Sequence, residues 1–343
     1  MRHYFSALFA SGVYRRTGVT EPDENGGRSP LLTHALTGKE YFLRRVSLPP
    51  AETLRTYESR VLHPPRNGLV LWPADLIPLS SEDKKECTLF AENRYGVPGA
   101  RKSPPDGAYA AAFPSEFLSM RDSGRVRRIL RQNWRSEEVR RFAVQLVRLL
   151  DQLNQDGYFY ADFHVSRFLF RKDGRLILDY SPFVCSGKEL RREDGLRLPR
   201  ASNCSYPVEF ADPSVIRGIT PNIDFESQNY QLSAFLFFLL FGRLAYDGRL
   251  LSGRADDDGW SHELKFRDYH RNPIFIFDPE DRENSPGYFA EDSHLETLWE
   301  ELPPPMRELF IRSLRKENAE RSIPADNPGA GEWLEIMERL GWA

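Results

Sequence analysis

From Ser136 to Leu153 the apolar residues Val139, Phe142, Ala143, Leu146, Leu149, Leu150 and Leu153 recur at three- and four-residue steps. That spacing predicts a long amphipathic helix, with Ser136 as its N-cap and Gly157 just past its end. After it the pattern shortens to Tyr158–Asp162, a polar hairpin, the run Phe168-Leu169-Phe170, a turn at Lys172-Asp173-Gly174, and the strand Leu176-Ile177-Leu178 closed by Asp179. Upstream, Leu31–Ala35 and Tyr41–Val46 flank Thr37-Gly38-Lys39 and read as a β-hairpin. Residues 51–62 have helical spacing, with Leu54, Tyr57, Val61 and Leu62 on the apolar side, while Leu69–Trp72 and Cys87–Ala91 read as two further strands. Downstream, Leu232–Phe241 is apolar all round, which predicts a buried core helix ending at Gly242.

Composition bounds the class without naming a function. A chain of 343 residues can build one large core or two smaller ones, and 40% hydrophobic with 28% charged residues describes a soluble globular protein. The net charge of -3 gives no reason to expect nucleic acid or a membrane surface as a partner, and the arginines between positions 121 and 131 read as solvated helix faces. Cys87, Cys185 and Cys204 lack metal-ligand spacing, which implies a reducing, cytoplasmic setting. The apolar run at the N-terminus is too short for a signal peptide, and Leu232–Phe241 is too short for a membrane span.

Candidate chemistry lies in the order helix, loop with Asp162, hairpin, Asp179. In order and spacing this stretch resembles the protein-kinase family, where such a helix leads to H-R-D-x-x-x-x-N, a two-strand hairpin and D-F-G. The resemblance implies an α+β, bilobal protein-kinase-like fold. Its small β-rich N-lobe would span residues 1–97 and its larger, mainly helical C-lobe residues 98–343. Within the C-lobe, 133–183 would be the catalytic-loop and DFG-like region and 180–214 an activation-like segment. It also implies Asp162 as catalytic base and Asp179 as metal ligand, with ATP and Mg2+ as cofactors. Arg44 stands where the family carries its strand lysine, and Glu58 about where the helix glutamate would pair it. Gly26 and Gly27 stand in the place of the phosphate loop, and Glu92–Tyr95 in that of the interlobe hinge.

Several positions depart from the family's pattern. Tyr160 and Ala161 replace His and Arg, Asp23 and Glu24 would repel phosphates beside the two glycines, and Arg167 stands where the magnesium-binding Asn belongs. Arg167 brings positive charge to a metal position. It would either hold Asp179 or a nucleotide phosphate without metal, or bridge to Asp162 or Asp179 and close an empty pocket. Phe210–Ile216 resembles Y-x-A-P-E-V-L with Ser214 in place of the glutamate, which leaves Glu209 as the candidate substitute. Gln228 stands where an aspartate would tie the buried helix to the catalytic loop.

The C-terminal run NPIFIFDPEDRENSPGYF, followed by Trp299, LPPPMRELFIRSL and GEWLEIMERL, narrows the resemblance. It is similar to bacterial kinases found beside a von Willebrand A-type (VWA-type) protein and a metal-dependent protein phosphatase, the tellurium-resistance-associated phosphorylation triad. Phosphoryl transfer rests on positioning and charge neutralisation, and of strand lysine, two metal ligands and catalytic Asp only Asp162 and Asp179 remain. Each lost charge-stabilising element costs on the order of a hundred- to a thousand-fold in rate. The sequence reading is therefore a pseudokinase that acts by binding a protein partner, with nucleotide binding left open as a way to set its conformation and the triad's VWA-type protein and phosphatase as candidate partners. The alternatives are an active serine/threonine kinase using Asp162, and a small-molecule phosphotransferase, which would also need Asn at position 167.

Overall fold

The computed structural model describes residues 3–21, 28–45, 57–66, 68–79, 109–120, 123–180, 184–186, 209–220, 223–252, 269–287, 292–320 and 326–343. The described strands are β1 (His3–Phe5), β2 (Val13–Val19), β3 (Pro30–His34), β4 (Glu40–Arg45), β5 (Asp75–Pro78), β6 (Tyr109–Pro114), β7 (Tyr158–Tyr160), β8 (Phe168–Phe170), β9 (Leu176–Leu178) and β10 (Val184–Ser186). The main helices are α1 (residues 57–62), α2 (Ser123–Ile129), α3 (Glu137–Gln155), α4 (Pro213–Ile216), α5 (Phe225–Phe241), α6 (Arg249–Ser252), α7 (Asp292–Glu301), α8 (Pro304–Leu314), α9 (Lys316–Ala319) and α10 (Ala330–Arg339). They fall into two compact units. The first takes the described residues up to 120 together with Leu169–Tyr180, and the second takes those from 123 to Phe168, 184–186 and 209 onward. Among the described residues no helix is long and apolar enough to cross a membrane.

The first unit is built on an antiparallel sheet in the order β1-β2-β3-β4-β6-β5. The predicted hairpin is β3–β4, and its turn uses Gly38 at φ 67°, a left-handed conformation that glycine adopts without steric cost. The strand expected at Leu69–Trp72 is reduced to one parallel bridge, Val70 to Leu178, with Leu71 N–H donating to Leu178 O at 2.8 Å. Residues Cys87–Ala91 and Glu92–Tyr95 lie outside the described residues.

The first unit also runs beyond residue 97, because β6 inserts between β4 and β5. That strand is hidden in the sequence: Ala110, Ala111 and Ala112 are fully buried, yet alanine is a poor strand former and carries no alternating pattern. Their small size has a purpose in the sheet. Ala111 is the cross-strand partner of Arg44, so no bulk opposes the long arginine side chain.

Asp75, fully buried at the start of β5, links that strand to the opposite end of the sheet. Its carboxylate accepts from Ser6 Oγ at 2.6 Å, Tyr14 OH at 2.7 Å and Leu76 N at 2.7 Å, while Ala7 N donates to Leu76 O at 2.8 Å. Three donors satisfy a charge that burial would otherwise make costly.

In the second unit the predicted helix is α3, with Val139, Phe142, Ala143, Leu146, Leu149, Leu150 and Leu153 all buried. Ser136 has the extended backbone of an N-cap, but its hydroxyl is hydrogen-bonded to Gln132 Oε1 and does not cap the helix. The all-apolar run lies in α5, which is buried on nearly every side. Asp224 caps it by accepting from Ser227 N at 2.8 Å, and Gly242 at φ 70° ends it. Around it sit Phe275, Phe277, Trp299 and Phe310, with Phe277 and Trp299 stacked at 4.5 Å between ring centroids. Such aromatic packing adds to the area buried and fixes the helix in one rotation.

Candidate functional site

Each unit carries one of the two candidate aspartates, and each aspartate is held by an arginine of its own unit. In the first unit Arg44 lies on β4 and Asp179 follows β9. Arg44 Nη1 donates to Asp179 Oδ1 at 2.6 Å, and the two residues are 6% and 3% exposed. Alternation along β4 places Arg44 on the same face as Phe42, and the guanidinium lies 5.0 Å from the Phe42 ring centroid and 5.2 Å from that of Phe113. Both rings lend their π-faces to the cation, so the pair is enclosed by aromatic surface. One carboxylate oxygen of the expected metal ligand is thereby engaged by a permanent cation.

In the second unit Asp162 is 1% exposed and forms an ion pair with Arg167, Nε to Oδ2 at 2.7 Å. The chain between them turns tightly, with His164 N donating to Asp162 O and Arg167 N to His164 O, both at 2.9 Å. A five-residue step through a 3-10 turn, Val165–Arg167, brings the guanidinium back onto the acid. Of the options open to Arg167 on sequence grounds, the bridge to Asp162 is formed. The loop is also fastened from below: Gln228 Oε1, fully buried on α5, accepts from Tyr160 N at 2.7 Å. Glutamine thus supplies the acceptor that the aspartate was expected to provide, without its charge. β7 completes the support by pairing antiparallel with β10, Val184 opposite Tyr160.

The remaining candidates do not join these pairs. Glu58 points to solvent on α1 while Tyr57 and Arg60 face inward, so the buried side of the helix is rotated from the one expected and Leu62 is 53% exposed. The described ion pair of Arg44 is with Asp179 and not with Glu58. Gly26 and Gly27 lie outside the described residues. At α4, Asp212 caps the helix by accepting from Ser214 N at 2.9 Å, and Ser214 is fully buried with its hydroxyl 3.0 Å from Thr220 Oγ1. Tyr246 OH donates to Glu209 O at 2.7 Å, so the backbone carbonyl of Glu209 is what α5's following turn holds.

In the first unit Asp179 is bonded to a guanidinium, where a hard divalent cation needs open oxygen ligands, and in the second Asp162 is likewise paired with one. Among the described residues no three His, Cys, Asp or Glu side chains gather as metal ligands.

Neither a protein-family model nor a curated protein matches this chain. Among solved structures, a rhoptry kinase from Toxoplasma gondii is similar over 99% of this chain and 82% of its own, with a TM-score of 0.50 and 14% sequence identity. At that identity the likeness speaks for the fold alone, which is α+β and kinase-like.

Proposed function

We propose that this chain is a pseudokinase, a kinase-shaped protein that works by holding a protein partner and not by transferring phosphate. The observation that carries the reading is the double neutralisation: Asp179 by Arg44 and Asp162 by Arg167, all four side chains at most 9% exposed. Each acid expected to handle a metal or a substrate proton already has a cation, in a setting where separating the pair leaves an uncompensated buried charge. That costs about 3–5 kcal/mol. A transition state that had to break both pairs would lose more stabilisation than one well-placed donor supplies, about 3–4 kcal/mol.

The triad resemblance of the C-terminal run points to a VWA-type protein or a metal-dependent protein phosphatase as the partner. The direct test is a phosphotransfer assay with labelled ATP, Mg2+ and mixed protein substrates, run beside Asp162→Ala and Asp179→Ala. Incorporation no greater for wild type than for either variant supports the proposal. Incorporation abolished by Asp162→Ala would establish an active kinase instead. For the partner, co-purification with the VWA-type protein or the phosphatase should survive both substitutions.

A further inference from the structure

Within the first unit, α1 is fastened to the residue after Asp179. Arg60, 6% exposed, donates from Nη1 to the hydroxyl of Tyr180, which is 1% exposed, and its guanidinium lies 5.7 Å from that ring's centroid. The Arg60 carbonyl accepts from Trp72 Nε1 at 2.8 Å, so the turn of helix that presents the guanidinium is itself held. Tyr57, one turn earlier and 4% exposed, packs with its ring centroid 6.0 Å from that of Tyr180. Burial pushes the Tyr57 hydroxyl well above the ordinary tyrosine range, with Tyr180 adding to it and the Arg60 and Arg44 charges opposing. Trp72 and Phe113 close the remaining sides of Tyr180 at 5.7 and 5.5 Å.

We infer that Arg60 and Tyr180 form a clasp that holds α1 on the end of β9 and so keeps Asp179 on Arg44. The inference rests on the pseudokinase reading, whose neutralised acid it explains. Tyr180 adjoins Asp179 directly, and Phe113 contacts both the Tyr180 ring and the Arg44 guanidinium. Withdrawing Arg60 removes its charged hydrogen bond to the Tyr180 hydroxyl, and the backbone that aims Asp179 loses that support. The helix residue that governs the acid is therefore an arginine acting through a tyrosine, while Glu58 on the same helix faces solvent.

The clasp is tested by carbodiimide labelling of carboxylates, read by mass spectrometry, on wild type and Tyr180→Phe. Asp75, buried elsewhere in the same unit, serves as the internal reference. A hydrogen bond to a charged donor corresponds to roughly ten- to a hundred-fold in a local opening equilibrium. The expected result is a rise of that order, at least about tenfold, in Asp179 labelling with Asp75 unchanged. Asp179 labelling that stays at the wild-type level overturns the clasp. If Tyr180→Phe melts the unit, so that Asp75 labels too, Arg60→Lys decides, because it keeps the charge and removes the fork. A selective rise at Asp179 supports the clasp, and none overturns it. Phosphate transfer by wild type would overturn the pseudokinase reading while leaving the labelling ratio as it is, so the two failures are distinguishable.

Discussion

A lysine at position 44 would end in a compact ammonium on a flexible stem, whereas arginine presents a planar fork that fits a carboxylate and lies against aromatic faces. Phe42 and Phe113 supply those faces and Asp179 the carboxylate. Arg44→Met should therefore destabilise the first unit by about 3–5 kcal/mol, because Asp179 is left buried without its cation. Urea unfolding should show a lower midpoint at unchanged slope, and the double variant Arg44→Met with Asp179→Leu should recover most of the loss. Gln228→Ala should cost about 1–3 kcal/mol, since it strands the Tyr160 N–H inside the core; Gln228→Leu should do no better. At this scale the sequence names Arg44, Asp162, Arg167, Asp179 and Gln228 as positions that matter. It does not say which arginine meets which acid, because pairing depends on backbone turns such as Val165–Arg167. Arg60 and Tyr180 are hidden in the sequence because an arginine on an amphipathic helix reads as a solvent-facing charge.

Among the elements, α3 and α5 are legible in the sequence for opposite reasons. One has a clean apolar stripe, the other is so apolar that burial is its only stable environment. The ends of α5 carry chemistry that can be tested. Asp224→Ala removes the acceptor for Ser227 N and should lower stability by about 1 kcal/mol. Gly242→Ala forces a side chain into φ 70° and should cost about 1–2 kcal/mol, both read as lower melting temperatures with activity-independent circular dichroism. The strand β6 and the inward face of α1 were not legible. Three successive alanines give no strand signal until β4 and β5 flank them, and the apolar positions Tyr57, Val61 and Leu62 give no sign that Arg60 is a buried residue of α1. Tertiary pairing, not local preference, decides both.

Across the whole chain, buried tyrosines set an alkaline limit. Burial raises the hydroxyls of Tyr57, Tyr230, Tyr246 and Tyr269, and burial together with Asp75 raises that of Tyr14. Each folded value lies above the unfolded one, near 10, so the associated stability is fully present below about pH 10 and is lost as pH rises further. Tyrosinate absorbance from these groups should appear together with loss of the helical signal; tyrosinate formed while the fold is intact would contradict this assignment.

The kinase-like fold combined with arginine-neutralised acids predicts a protein that magnesium nucleotide does not stabilise. The most direct test is a thermal-shift titration with ATP, with and without Mg2+, on wild type and Asp179→Ala. A ligand present at 100 times its Kd and binding only the folded state would add about 2.7 kcal/mol and raise the melting temperature visibly. No magnesium-dependent rise at millimolar nucleotide is the predicted result. A magnesium-dependent rise in wild type that disappears in Asp179→Ala would contradict the account, because Asp179 would then be exchanging Arg44 for a metal.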